Sequence, residues 1–109
     1  MSMVIEWAPF KLAPEASEDE LLRASDALQA EFLEKQPGYV ARELLRNGAD
    51  AWCDLVYWAS ADAAEQAMQE AMNSPICHGY FRLMQGVNHE NPGADVQHLA
   101  VIKSYAQRK

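Results

Sequence analysis

The stretch Trp52-Cys53-Asp54-Leu55-Val56-Tyr57-Trp58 constrains the fold most, because it is largely apolar on both faces that a β-strand presents. Cys53, Leu55 and Tyr57 point one way, and Trp52, Asp54, Val56 and Trp58 the other. Such a strand belongs at the centre of a sheet, with cover on each side. A second strand-like run, Tyr39 to Arg46, precedes it across Asn47-Gly48-Ala49-Asp50, and an Asn-Gly pair in that position is a strong hairpin signal. The two strands are expected to be antiparallel neighbours.

Around this hairpin the chain alternates strand and helix. Met3 to Trp7 alternates as a first strand, with Ile5 and Trp7 on one side and Val4 and Glu6 on the other, and Pro9 and Pro14 end it. Ser17-Glu18-Asp19-Glu20 is a capping box, so a helix starts there. Its stripe is Leu21, Ala24, Ser25, Leu28 and Phe32, and it stops at Gln36-Pro37-Gly38. Ser60 caps a second helix with a stripe of small and flexible residues, Ala64, Ala67, Met68, Ala71 and Met72. Pro75 opens a short third helix through Tyr80 and Met84, Gln85 to Asp95 reads as a loop, and Val96 to Tyr105 as the last strand.

The resulting order, strand-helix-strand-strand-helix-strand, is an α+β, ferredoxin-like βαββαβ pattern. It implies a four-stranded antiparallel sheet in the order 4-1-3-2 with its helices on one face. A chain of 109 residues, half of them apolar, makes one domain spanning 1–109. A net charge of -7 argues against nucleic acid or an anionic membrane as partner. The start of the chain lacks a basic, apolar leader and no apolar run nears membrane-spanning length, so a cytoplasmic protein is expected.

Helices on one side leave the other face of the central strand bare. A carboxylate under a stripe of alanine and methionine is costly unless paired, so Asp54 assigns its own side, with Trp52, Val56 and Trp58, to the open face. Wetting those three side chains forgoes roughly 5 to 9 kcal/mol. A second copy of the same sheet is the expected cover, giving a homodimer with a barrel-like interior and Trp52, Val56 and Trp58 at the interface. The other possible cover is the chain's own Gln85 to Asp95 loop.

In this order the chain resembles the dimeric α/β-barrel superfamily, which holds antibiotic-biosynthesis-monooxygenase-like proteins, haem-degrading monooxygenases and stress-responsive barrel proteins. The resemblance rests on Gln36-Pro37-Gly38-Tyr39, on the strand Trp52 to Trp58, and on Ala59-Ser60 leading into the alanine-rich helix that ends Asn73-Ser74-Pro75. It spans nearly the whole chain and is closest to small bacterial members with no assigned activity. In the monooxygenase-like branch it implies that Trp58 lines a cavity where a flat aromatic substrate meets oxygen without a cofactor. The haem-degrading branch places a tryptophan ten residues before its haem-ligating histidine. Here Met68 stands ten before His78, and the first strand offers Glu6 where that branch uses asparagine, so no cofactor is expected.

Single residues carry less. Asp54 suits a general base or a cross-strand ion pair, and Arg42 faces it if the hairpin loop is Asn47 to Ala49. His78 suits a proton shuttle near a cavity or a surface cap, and His98 suits a cavity wall or a bond to a loop carbonyl. Neither His98 nor His89 has a partner at metal spacing, so no metal is expected. Cys53 and Cys77 read as buried thiols; Ser25 and Ser60 lack a readable base, and no glycine-rich phosphate loop occurs. Two functions stay open. One is a small-molecule site lined by Trp58, Asp54, His78 and His98, implying a cofactor-independent monooxygenase-like enzyme acting on a small aromatic compound. The other is a non-enzymatic binding or stress-associated barrel with a filled interior.

Overall fold

The computed structural model describes residues 2–85 and 95–106. Strand β1 (Val4–Leu12) leads to helix α1 (Glu18–Glu31) and a 3-10 turn at Leu33–Lys35. The hairpin β2 (Tyr39–Asn47) and β3 (Ala51–Trp58) follows, then helices α2 (Ala61–Ala71) and α3 (Pro75–Phe81), and two short strands, β4 (Met84–Gln85) and β5 (Gln97–Ala100). The capping box forms in full: the Glu20 N–H donates to Ser17 Oγ at 3.1 Å, and the Ser17 N–H donates to Glu20 Oε1 at 3.0 Å. Ser60 and Ser74 cap α2 and α3 in the same manner, accepting from the N–H groups of Ala63 and Cys77.

The sheet is antiparallel and five-stranded. It runs β2-β3-β1, and the outer edge of β1 is shared: β5 lies along Val4–Trp7 and β4 along Lys11 and Leu12. The expected four-stranded sheet thus has an added two-residue strand, β4, and a last strand shortened to Gln97–Ala100. The stretch 86–94 of the expected loop lies outside the described residues. No described helix is long and apolar enough to cross a membrane.

The helices cover the face opposite to the one expected. Along β3, Trp52, Asp54, Val56 and Trp58 are buried, at 7%, 6%, 3% and 1% exposure, while Cys53, Leu55 and Tyr57 are half-buried. With Val4 and Phe10 of β1, those tryptophans and Val56 share one core with Leu21 and Leu28 of α1, Ala64, Ala67 and Ala71 of α2, and Cys77 and Tyr80 of α3. Trp52, Val56 and Trp58 are therefore core residues of a single chain and are not free to form an interface. The expectation went astray on Asp54, whose charge is paired inside the core. The open face instead presents Trp7, Leu45 and Leu99, each 40–48% exposed, beside Leu55 and Tyr57.

One glycine fixes how closely α2 approaches the sheet. Gly38 has φ of 81°, in the left-handed region, and its carbonyl accepts the Ala59 N–H at 2.8 Å. A Cβ placed there would lie 2.5 Å from that of Ala63. Gly38→Ala is expected to lower stability by about 2 kcal/mol or more, since left-handed strain adds to a contact with no room to relax. Urea unfolding checks this, with Gly48→Ala as the contrast. Gly48 has nearly the same φ, but open space lies around it, so it should lose only the backbone part.

Candidate functional site

Between the sheet and its helices lies a cavity of about 80 Å³. Its walls are mostly apolar, with Phe10, Val56 and Trp58 from the strands and Leu28, Met68 and Phe81 from the helices. Five residues with charged or hydroxyl groups also line it: Glu6, Arg42, Asp54, Tyr80 and Asp95. It lies within one chain, on the helix side of the sheet, whereas the sequence placed a ligand chamber between two sheets.

Strand alternation brings these groups together. Glu6 and Ala8 of β1 lie opposite Val56 and Asp54 of β3, and Arg42 and Leu44 of β2 lie opposite Val56 and Asp54 from the other side. The hairpin loop has the expected three residues but is shifted by one position, with Asn47 opposite Ala51, so Arg42 is not directly across from Asp54. Arg42 is the diagonal neighbour on the same face, and its long side chain makes up the difference.

Asp54 is held from two sides. Arg42 Nε donates to Oδ1 at 2.8 Å, and the Tyr80 hydroxyl donates to Oδ2 at 2.5 Å. Arg42 also donates to the Tyr80 oxygen at 3.1 Å and to the Ser25 carbonyl at 3.3 Å. Burial works against the guanidinium charge, but the opposed charge and hydrogen bond of Asp54 outweigh it and raise the Arg42 pKa. Burial first, and the charge of Asp54 second, push the Tyr80 hydroxyl well up, so it remains a donor. With both carboxylate oxygens engaged, Asp54 is an ion-pair residue, not an idle base.

Glu6 is placed differently. Its side chain is 15% exposed, and Oε1 accepts from Trp58 Nε1 at 3.2 Å and meets His98 Nε2 at 3.4 Å. The hydrogen bond to Glu6 raises the His98 pKa above its ordinary 6.5; partial burial opposes that rise, and Glu65 adds to it. Trp58, buried within the core, also stands edge to face with Tyr39 at 5.9 Å.

Of the four residues singled out as a site from sequence, Trp58 and Asp54 line the cavity. His98 reaches it only through Glu6. His78 does not line it; its Nε2 lies 2.6 Å from the Met72 carbonyl, tying α3 to the end of α2. The sequence reading missed Glu6 and Tyr80 as site residues. Glu6 had a signal, a carboxylate on the Val4 side of an alternating strand, whereas Tyr80 had none beyond an aromatic on a short helix.

The cysteines are both free thiols. Burial pushes Cys77 up to about 11 from 9.0. A pKa raised on folding means that the fold favours the protonated thiol, so its stabilisation is complete below about pH 9 and is lost as pH rises through about 11. Stability should fall across that window by on the order of 2–3 kcal/mol more in the native sequence than in Cys77→Ala. Parallel urea titrations of the two proteins measure the difference. Among the described residues no group of His, Cys, Asp and Glu is arranged to hold a metal ion.

No protein-family model and no curated protein matches the sequence. Solved structures do match. SnoaB, a cofactor-independent oxygenase from Streptomyces nogalater, is 17% identical, with a TM-score of 0.71 over 100% of each chain. A candidate antibiotic biosynthesis monooxygenase from Caulobacter crescentus is 18% identical, with a TM-score of 0.68 over 94% of this chain and 92% of that one. A haem-degrading protein from Mycobacterium tuberculosis is 17% identical, with a TM-score of 0.57 over 95% of this chain and 99% of the other. The chain has the fold of the antibiotic-biosynthesis-monooxygenase-like proteins, as its motifs implied.

Proposed function

We propose that the protein binds a small aromatic compound between its sheet and helices and oxygenates it without a cofactor. The observation behind this reading is the convergence of Glu6, Trp58 and the Arg42–Asp54 pair on a cavity with mostly apolar walls. A phenol that loses its proton in such a place becomes electron-rich enough to reduce oxygen directly. One phenol and one O2 then give one quinone and one water, which balances without an added reductant. The oxygenase activity named for SnoaB is in keeping with this chemistry.

Haem does not fit the same cavity. Met68 lines the wall where the haem-degrading pattern has tryptophan, and His78, ten residues on, turns to the Met72 carbonyl and lies off the cavity. The volume is also far below the roughly 300 Å³ at which pockets for larger ligands begin.

We further propose that two copies associate through the open sheet face, where Trp7, Leu45 and Leu99 are exposed. Sedimentation at low concentration, with Trp7→Lys as the disrupting variant, tests that association.

A second reading, a non-enzymatic barrel with a filled interior, is favoured by the cavity's size. Its 80 Å³ is about half of the roughly 150 Å³ at which an apolar cavity admits benzene. On the first reading the flexible Met68 and the half-buried Phe81 give way to a ring. A thermal-shift screen of one- and two-ring phenols, repeated with an oxygen electrode, separates the two. Binding with oxygen uptake supports the enzyme, binding alone supports the non-enzymatic barrel, and no shift with any compound removes the ligand altogether.

A further inference from the structure

Three carboxylates border the cavity: Glu6 and Asp54 lie on strands of its wall, and Asp95 is exposed at its margin. Asp54 has an Arg42 nitrogen on one oxygen and the Tyr80 hydroxyl on the other. The two bonds to Glu6 both fall on Oε1, and among the described residues none falls on Oε2. Glu6 thus joins the cavity wall to His98, whose side chain is 33% exposed on the edge strand β5. Trp58, which donates but does not titrate, fixes the carboxylate's orientation.

Building on the oxygenase reading, we propose that Glu6 accepts the proton of a phenolic substrate in the cavity and that His98 relays this proton to solvent. The substrate O–H bond breaks, its electron pair stays on the phenolate oxygen, and a new O–H bond forms on the Glu6 carboxylate. The proton then moves to His98 Nε2, making an imidazolium that exchanges with water. The relay needs a neutral imidazole, so it strengthens as pH rises through the His98 midpoint, which the Glu6 hydrogen bond sets above 6.5. Other charged or titratable groups face the dyad. Asp54 from β3, Arg42 from β2, Tyr80 and Cys77 from α3, and Asp95 just ahead of β5 line the cavity, and Glu65 of α2 acts on His98. Asp54 and Arg42 neutralise one another, and Tyr80 and Cys77 are held protonated by burial, so the profile near neutral pH belongs to His98.

The test uses 4-nitrophenol, whose ionised form is coloured, at a pH equal to its own pKa. Binding to the native protein is expected to raise the ionised fraction, since the Glu6–His98 pair takes up the proton. Glu6→Gln and His98→Gln should bind the probe and leave that fraction near the free value, while Glu6→Asp, which keeps the carboxylate, should restore part of the shift. A purely structural Glu6 would change the affinity and leave the colour change intact. Equal ionisation in the native protein and Glu6→Gln overturns the relay and leaves the cavity reading standing. Failure of the native protein to bind any phenol, this one included, removes both.

Discussion

Arg42→Ala is expected to destabilise the protein by about 3 to 5 kcal/mol, the loss typical when one partner of a buried ion pair is removed and the other stays charged. The Arg42 and Asp54 side chains are only 6% and 8% exposed, so water cannot replace the guanidinium. Arg42 also bonds the Tyr80 hydroxyl and the Ser25 carbonyl, so its removal loosens α1 and α3 from the sheet together. Urea unfolding at neutral pH measures the loss, and a change below about 1 kcal/mol would place the pair among weak, solvent-screened bridges. Arg42→Met with Asp54→Leu should recover most of the stability, because apolar residues of similar size often match a buried pair. If the double variant is as unstable as the single, the pair's value lies in more than its own charges.

Trp58→Ala should cost about 3 to 5 kcal/mol as well, by a different route. The indole is 1% exposed, packs edge to face on Tyr39 and donates to Glu6, so truncation opens a void and leaves the Glu6 carboxylate with His98 alone as partner among the described residues. Trp58→Phe keeps most of the packing and isolates the hydrogen bond, whose loss should be nearer 1 kcal/mol. Calorimetric melting of both variants separates packing from polarity. The same truncation enlarges the cavity, so Trp58→Ala should bind larger phenols than the native chain if the chamber is a ligand site.

The fold was legible because its signals are local. The Ser17-to-Glu20 box, the Asn47-Gly48 turn and the small-residue stripe of α2 each depend on neighbours a few residues away. The face assignment of β3 was not local. Asp54 appeared unable to lie beneath helices because nothing near it in sequence could neutralise it, yet Arg42 and Tyr80 arrive from 12 and 26 residues away. Only the tertiary structure brings those groups to one point.

The site was legible in part for the same reason. Trp58 and Asp54 sit on one strand with period two, so either both line a cavity or neither does. Glu6 joins them only once β1 pairs with β3, and His98 only once β5 returns to β1 from the far end of the chain. His78 failed as a site residue because a three-residue helical offset decides whether a side chain turns inward, and its ring turns to the end of α2.

The shared edge of β1 ties the cavity wall to the later part of the chain. β5 pairs with Val4 to Trp7 and β4 with Lys11 and Leu12, while Ala8, Pro9 and Phe10 between them pair with Asp54, Cys53 and Trp52 of β3, and all three border the cavity. Three residues of strand span about 10 Å, and the proline among them carries no N–H to donate to a strand beside it. Two segments from late in the chain thus hold the two ends of one strand whose middle walls the cavity, so a substitution that loosens either ladder is felt at that wall.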